Sequence, residues 1–200
     1  MRLRVKFHRL LSGIASLIDR ELHIDNYIYC YLLVINKYRI PYLTIDHLKM
    51  GLIKGSAYCD FTALDSDEVI GEKLWPIIKG IIMTNIENNQ NIIIEGCYIL
   101  PEKLRDFEKE YLDNIITVFI GFSANYINEN FESKIIRHRN AIESRGYEED
   151  RPISQFIREH SELRRKCLEN QAPYFEIDCD YEKDIQKAYG FIESRINERM

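Results

Sequence analysis

Two carboxylates that each follow a short apolar segment are the residues with the clearest chemical potential. Asp46 ends the segment "PYLTID", and Glu95 ends "NIIIE" immediately before Gly96. Because burying an unpaired carboxylate is costly, each acid is expected where a strand meets solvent or a ligand. Two acids at one edge can hold a hydrated magnesium ion or accept a proton from an attacking hydroxyl. The alternative is that either acid caps the helix that follows it.

Strands alternating with helices are predicted to position these acids. The predicted strands are 41–45, 91–96, 114–122 and 173–178. The predicted helices are a short helix or turn at 46–53, then 66–88, one that begins at Pro101, 127–145, 153–171 and 181–199. Strands separated by helices require right-handed crossovers and a mostly parallel sheet. The sequence therefore predicts the α/β class.

Two of these elements carry more detailed expectations. Asp65 and Glu68, three residues apart, resemble a capping box at the start of the helix 66–88. Pro76 lies inside that helix and is expected to kink it, because proline lacks a backbone N–H and its ring disturbs the preceding turn. The strand at 114–122 is too apolar to alternate, so it is expected to be covered on both faces.

Length, charge and cysteine content limit the function classes. A chain of 200 residues fits one domain, and a net charge of -5 argues against a general nucleic-acid binder. The five cysteines are scattered without a CxxC pair, which predicts reduced thiols and a cytoplasmic protein. The longest wholly apolar run, at 27–35, is about half as long as a membrane span. No membrane partner is expected.

The predicted sheet gives the two acids a common location. Ligands of open parallel sheets bind outside the carboxyl ends of the strands. Asp46 and Glu95 both fall at that edge, and the strand "VFIGF" brings Gly121 and Ser123 there as well.

Three segments carry a resemblance to a known family, namely "IPYLTIDHLKMGLIKG", "VIGEKLWPIIKGIIMTNIENNQNIIIEGCYILP" and "IIRHRNAIESRG". They resemble the P-loop kinase superfamily, in particular small adenylate-kinase-like phosphotransferases of the 2-phosphoglycerate kinase or zeta-toxin type. The resemblance extends from about residue 31 to the C-terminus. It implies one three-layer domain over 1–200, with a mostly parallel sheet flanked by helices and a helical lid at about 125–171.

The resemblance also implies roles for residues at the sheet edge. Asp46 would face a small-molecule phosphate acceptor, and Glu95 with Gly96 would serve a magnesium ion and its water. ATP and Mg²⁺ are the implied cofactors. His47 and Tyr98 are neighbouring candidates for substrate contact. The alternative for His47 is a surface or packing residue, as lone histidines more often are. The alternative for Tyr98 is a tyrosine that packs on its own helix.

The lid helices would supply arginines that clamp the transferred phosphoryl group. The candidates are Arg137, Arg139, Arg145 and Arg158. The helix 153–171 is also rich in acids, so the alternative for Arg158 is a solvated face with intrahelical ion pairs.

The chain departs from the family at the phosphate loop. No GxxxxGK[ST] pattern occurs anywhere, and Gly13 is the sole glycine of the first 50 residues. Residues 1–30 form a divergent N-terminus without a counterpart in the family. The strand before the loop is central in the family's sheet, and "LRVKF" at 3–7 is the candidate for that position. Two functions are therefore expected: an ATP- and magnesium-dependent small-molecule phosphotransferase, or a non-catalytic relative that acts as a binding or regulatory protein.

Overall fold

The computed structural model describes residues 40–57, 59–137 and 151–198. Within them the strands are β1 (Tyr42–Thr44), β2 (Ile93–Glu95), β3 (Phe119–Phe122) and β4 (Tyr174–Ile177). The helices are α1 (Ile45–Gly55), α2 (Asp67–Glu87), a 3-10 helix (Pro101–Asp106), α3 (Lys109–Leu112), α4 (Ala124–Asn130), a π-helix (Phe131–Ile136), α5 (Ile153–Glu169) and α6 (Tyr181–Asn197). This alternation confirms the predicted α/β class. The strand predicted at 3–7 lies outside the described residues.

The described strands form two parallel pairs. β1 pairs with β2 in a register that places Thr44 opposite Glu95, and β3 pairs with β4 so that Phe122 lies opposite Ile177. The predicted parallel orientation is therefore confirmed. Among the described strands the two pairs are separate sheets rather than one. Each pair delivers two carboxyl ends to a common edge.

The first half of the described chain builds a core around β1 and β2. Its buried side chains are Ile45, Ile70, Leu74, Trp75, Ile78, Tyr98 and Phe107. The α2 helix supplies one face of this core, because its residues 70, 74 and 78 recur at helical spacing. Trp75 meets the ring of Phe107 edge-on, with centroids 5.5 Å apart, and its indole N–H donates to Asp106 at 2.7 Å. These contacts hold α2 against the 3-10 helix.

The second half builds a separate core around β3 and β4. Its buried side chains are Ile120, Phe122, Tyr126, Ile127, Ile177, Ile185, Ala188 and Tyr189. All four residues of β3 are buried, as expected for a strand that is covered on both faces. The rings of Phe122 and Tyr126 stack with centroids 5.1 Å apart, which fixes the start of α4 on the end of β3.

Polar contacts join the two halves where the end of α5 meets the 3-10 helix. The Lys166 ammonium lies 3.6 Å from the Glu102 carboxylate. The Arg105 guanidinium donates to the backbone carbonyl of Glu169 at 3.0 Å, where the last carbonyls of a helix lack intrahelical donors. The halves are thus linked by partly exposed charged groups, each of which contributes modestly to stability.

The start of α2 differs from the predicted capping box. Ser66 is the N-cap residue, and its hydroxyl accepts from the Val69 backbone N–H at 3.4 Å. Asp65 instead accepts from the backbone N–H of Thr62 at 2.7 Å, one turn of chain before the helix. The helix then continues through Pro76 to Glu87.

The predicted elements differ most from the structure in three places. The strand at 114–122 is regular only over Phe119–Phe122. The segment after Pro101 is a 3-10 helix followed by the short α3 rather than one α-helix. The helix predicted at 127–145 begins at Ala124 and changes to a π-helix at Phe131, and its last part lies outside the described residues. Such π-helical turns are local insertions that a 3.6-residue period does not reveal.

Two acids organise the start of α6. The Asp180 carboxylate caps the helix by accepting from the Lys183 backbone N–H. The Asp184 carboxylate turns back and accepts from the backbone N–H groups of Asp178 at 3.0 Å and Cys179 at 3.1 Å, while Lys187 donates to it at 2.8 Å. These donors hold the pKa of Asp184 well below its usual range. The Asp184 carboxylate therefore fixes the loop after β4 through hydrogen bonds to its backbone.

No helix in the described part of the chain combines the length and the apolar character needed to cross a lipid bilayer.

His160 is the histidine whose state the fold determines most clearly. Its Nδ1 accepts from the Phe122 backbone N–H at 3.1 Å, and its ring packs on the Phe122 ring with centroids 5.2 Å apart. Burial disfavours the charged imidazolium and lowers the pKa of His160 to about 4. An acceptor at Nδ1 requires the neutral tautomer that carries its proton on Nε2.

Stability should therefore decrease as the pH falls through the range set by His160. The unfolded chain takes up this proton near the ordinary pKa of 6.5, whereas the folded chain takes it up near 4. The contribution is complete above about pH 6.5 and is lost progressively toward pH 4, by on the order of 3 kcal/mol. Urea unfolding at a series of pH values measures this slope.

The matched variants are His160→Asn and His47→Asn. An asparagine at 160 offers an oxygen acceptor without a titrating ring, so the slope between pH 6.5 and 4 should flatten. His47 is exposed, so its replacement should leave the slope unchanged. An equal slope in the wild-type chain and in His160→Asn would contradict the assignment.

Candidate functional site

The parallel pairing of β1 and β2 brings the two predicted acids to one edge. Thr44 lies opposite Glu95, and Asp46 follows two residues later in the first turn of α1. The chain leaves β2 through Gly96, whose φ is +153°. A Cβ at Gly96 would lie 2.7 Å from the Cβ of Ile45, closer than real contacts allow. The absence of a side chain lets the end of β2 pass directly against the β1–α1 turn.

A buried lysine links this edge to the first core. Lys49 is 8% exposed and is the charged residue that the described part of the chain buries. Its ammonium donates to Asp46 Oδ1 at 2.7 Å and to the Tyr98 hydroxyl at 2.5 Å. The ammonium also lies 4.7 Å from the centroid of the Tyr98 ring. Burial of an ammonium is tolerated when oxygen partners surround it, as they do here.

Lys49, Asp46 and Tyr98 form a hydrogen-bonded cluster, in which Tyr98 lies on the core side. It is 5% exposed, and its hydroxyl lies 3.4 Å from Asp46 Oδ1. Burial raises the pKa of Tyr98 far above its usual range, and the neighbouring Cys97, Asp46 and Asp67 act in the same direction. The phenol therefore stays protonated and acts through hydrogen bonds.

The start of α2 adds a further acid to the edge. Desolvation raises the pKa of Asp67, and the charges of Glu159 and Glu68 raise it further. Lys49 and Arg151 oppose this effect. Glu159 lies on α5 and Arg151 lies just before it, so charges from the second half of the chain act on the Asp67 carboxyl. Arg151 itself lies 3.4 Å from the Glu159 carboxylate and 4.4 Å from the centroid of the Phe156 ring.

The edge residues can now be compared with their predicted roles. Asp46 is not the cap of α1, because Thr44 occupies the N-cap position and the Asp46 carboxylate pairs with Lys49. Glu95 is the last residue of β2 and is half-buried. His47 is exposed on α1. The Tyr98 side chain packs in the first core, where its hydroxyl accepts a hydrogen bond from Lys49.

Two of the four predicted arginines belong to the described residues. Arg137 follows the π-helix and is exposed, and Arg158 is exposed on α5. Arg139 and Arg145 lie outside the described residues. The solvated face expected as the alternative is seen on α5, where Arg165 donates to Glu162 at 2.5 Å and also pairs with Glu169.

The sequence analysis did not predict a role for Lys49 or Asp67 at this edge. Lys49 lies three residues after Asp46 on one helix, a spacing that places both on the same face and could have identified the pair. Asp67 carries no such signal, because its approach depends on how α2 packs against the β1–β2 pair.

No group of three or more His, Cys, Asp or Glu side chains in residues 40–57, 59–137 and 151–198 could hold a metal ion. Magnesium is commonly bound by one or two carboxylates together with water and substrate phosphates, a role that Glu95 could fill. Neither a phosphate loop nor its lysine is found in the sequence.

Comparisons of the chain with protein-family models, with curated proteins and with solved structures found no match. The fold and the site therefore have to be interpreted from their own geometry.

Replacing Gly96 with alanine should disrupt the site edge. The new methyl group would overlap the Ile45 side chain, and the positive φ adds backbone strain of about 1–3 kcal/mol. We expect Gly96→Ala to lower the free energy of unfolding by at least that amount, as measured by urea unfolding.

Gly51→Ala is the matched control. A Cβ at Gly51 meets nothing within 4 Å, and alanine is favoured over glycine inside a helix by roughly 1 kcal/mol. This variant should be as stable as the wild-type chain or more so. Equal stability of Gly96→Ala and the wild-type chain would show that the β2 exit is not constrained.

Proposed function

We propose that this protein is a small-molecule phosphotransferase of the P-loop kinase type, with its acceptor side at the carboxyl edge of β1 and β2. The observation that carries the proposal is the register of Thr44 with Glu95. This register supports a site for Asp46 and Glu95 at the carboxyl edge of the pair, since open parallel sheets bind ligands at that edge.

The strand arrangement supports the same proposal. In the proposed fold, a parallel sheet of five strands has its first strand in the centre, with one pair of strands on each side of it. The described residues form two parallel pairs, β1 with β2 and β3 with β4. A three-layer P-loop-type domain, with a helical lid over about 125–171 and a cytoplasmic location, belongs to this proposal.

The proposed reaction transfers a phosphoryl group from a nucleoside triphosphate to an acceptor hydroxyl. The acceptor oxygen forms the new bond to the γ-phosphorus, the bond from that phosphorus to the bridging oxygen breaks, and the hydroxyl proton passes to the Asp46 carboxylate. Positioning and charge neutralisation supply most of the rate in such reactions. Bound magnesium supplies part of that neutralisation. Glu95 would order the magnesium-bound water, and Asp46 would orient the acceptor.

A second candidate is a non-catalytic relative that acts as a binding or regulatory protein. The observation that favours it is the absence of GxxxxGK[ST] from the whole sequence. Successive backbone N–H groups and the lysine of that loop normally cradle the phosphates. This candidate keeps the edge cluster for a ligand but binds no nucleotide.

Calorimetric titration with ATP, in the presence and absence of magnesium, separates the two candidates. The phosphotransferase should bind ATP in a magnesium-dependent manner. Glu95→Gln should weaken that binding about tenfold or more, which corresponds to about 1.4 kcal/mol. Asp46→Asn should bind ATP like the wild-type chain but consume none with any acceptor.

Glu182→Gln provides the control, since Glu182 is an exposed acid on α6, in the other half of the chain from the edge. Its ATP binding should match that of the wild-type chain. A folded wild-type chain that binds no ATP would refute the phosphotransferase and support the non-catalytic relative.

A further inference from the structure

Lys49 is a buried charge at a position where an apolar residue could also pack. Its side chain is almost fully enclosed, and replacing a buried ion pair with apolar groups of similar size is often neutral or stabilising. A charge at this position therefore points to a role beyond stability. What it could do follows from its hydrogen-bonding groups and those of its partners.

Among the described residues, the hydrogen bonds of the pair use two donors of the ammonium and one oxygen of the carboxylate. The ammonium has three N–H donors, of which one is directed to Asp46 Oδ1 and one to the Tyr98 hydroxyl. Within the described part of the chain, the third donor and Asp46 Oδ2 have no further hydrogen-bond partner. The Asp46 side chain is 28% exposed and the Lys49 side chain 11%, so a small ligand would reach the pair from the carboxylate side.

A neighbouring donor and acceptor complement a hydroxyl group. An alcohol can accept from the Lys49 ammonium through its oxygen while it donates its proton to Asp46 Oδ2. A carboxylate or phosphate could use only the donor. It would also meet the Asp46 carboxylate at contact distance, where two like charges repel.

We propose that Lys49 is a positioning residue that holds Asp46 as half of a binding pair for an alcohol hydroxyl, so the acceptor at this edge is a neutral polyol and not an acid. This inference deepens the proposed function, on which it rests for the later transfer of a phosphoryl group. Tyr98 supports the pair from the core side, through its hydroxyl and the face of its ring.

The test uses NMR on the full chain without any nucleotide. With ¹⁵N-labelled lysine, the Lys49 ammonium is identified by its loss in Lys49→Met, and myo-inositol, ribose, glycerate and glycerol 3-phosphate are added in turn. The two neutral polyols should shift the Lys49 signal in a saturable manner. The two anions should bind at least tenfold more weakly.

Variants separate positioning from a structural role. Polyol binding, followed on labelled tyrosine signals, should fall at least tenfold in Lys49→Met and recover in part in Lys49→Arg, which restores a cation. Lys54→Met changes an exposed lysine of the same helix and should bind as the wild-type chain does. Tyr98→Phe should retain binding but speed the hydrogen exchange of the Lys49 ammonium.

Three results would overturn the proposal: tighter binding of the anions, unchanged polyol binding in Lys49→Met, or no polyol binding by the wild-type chain. If Lys49→Met fails to fold, Lys49→Arg and Tyr98→Phe still decide the outcome. Since no nucleotide is present, failure here is independent of the ATP titration, and a chain that binds polyols but no ATP would refute only the phosphotransferase.

Discussion

A buried ammonium group must be paired, and the way Lys49 meets this requirement ties together the segments around it. One partner, Asp46, lies one turn earlier on the same helix. The other, Tyr98, arrives from the chain that leaves β2. Tyr98 reaches the lysine because β2 runs parallel to β1 and because Gly96 lets the backbone pass against Ile45. Removing one partner of a buried pair typically costs about 3–5 kcal/mol. The need to pair the buried Lys49 ammonium thus fixes the positions of Asp46 and Tyr98 at this edge.

The two halves of the chain meet through charged groups on two sides. The Lys166–Glu102 and Arg105–Glu169 contacts join the end of α5 to the 3-10 helix. At the sheet edge, the second half interacts with the first through charges near Asp67. Neither connection is a large apolar contact between the two cores. Within the described residues, both connections are therefore sensitive to the charge state of their side chains, unlike the apolar packing inside each core.

Local patterns in the sequence predict the elements better than they predict the site. The period of Ile70, Leu74 and Ile78 gives α2, and the unbroken apolar run of β3 gives a strand covered on both faces. The capping residue of α2 was misassigned because Asp65 and Ser66 both have side chains that can cap, and tertiary context chooses between them. The sequence predicts the shared edge of Asp46 and Glu95 because each acid stands at the end of a predicted strand, although β1 itself ends at Thr44. Asp67 could not be found, since only the packing of α2 brings it near Lys49.

Each core is assembled from one uninterrupted stretch of chain. Residues from Ile45 to Ile115 supply the first core, and residues from Val118 to Ile192 supply the second. Both strand pairs likewise close within their own stretch. Contacts of short sequence separation form with little loop-closure cost, so each stretch can begin to fold as it leaves the ribosome without waiting for the other. Among the described residues, the boundary near Ile116 separates the two cores without dividing either one, so the order of the cores along the chain is also their order of synthesis.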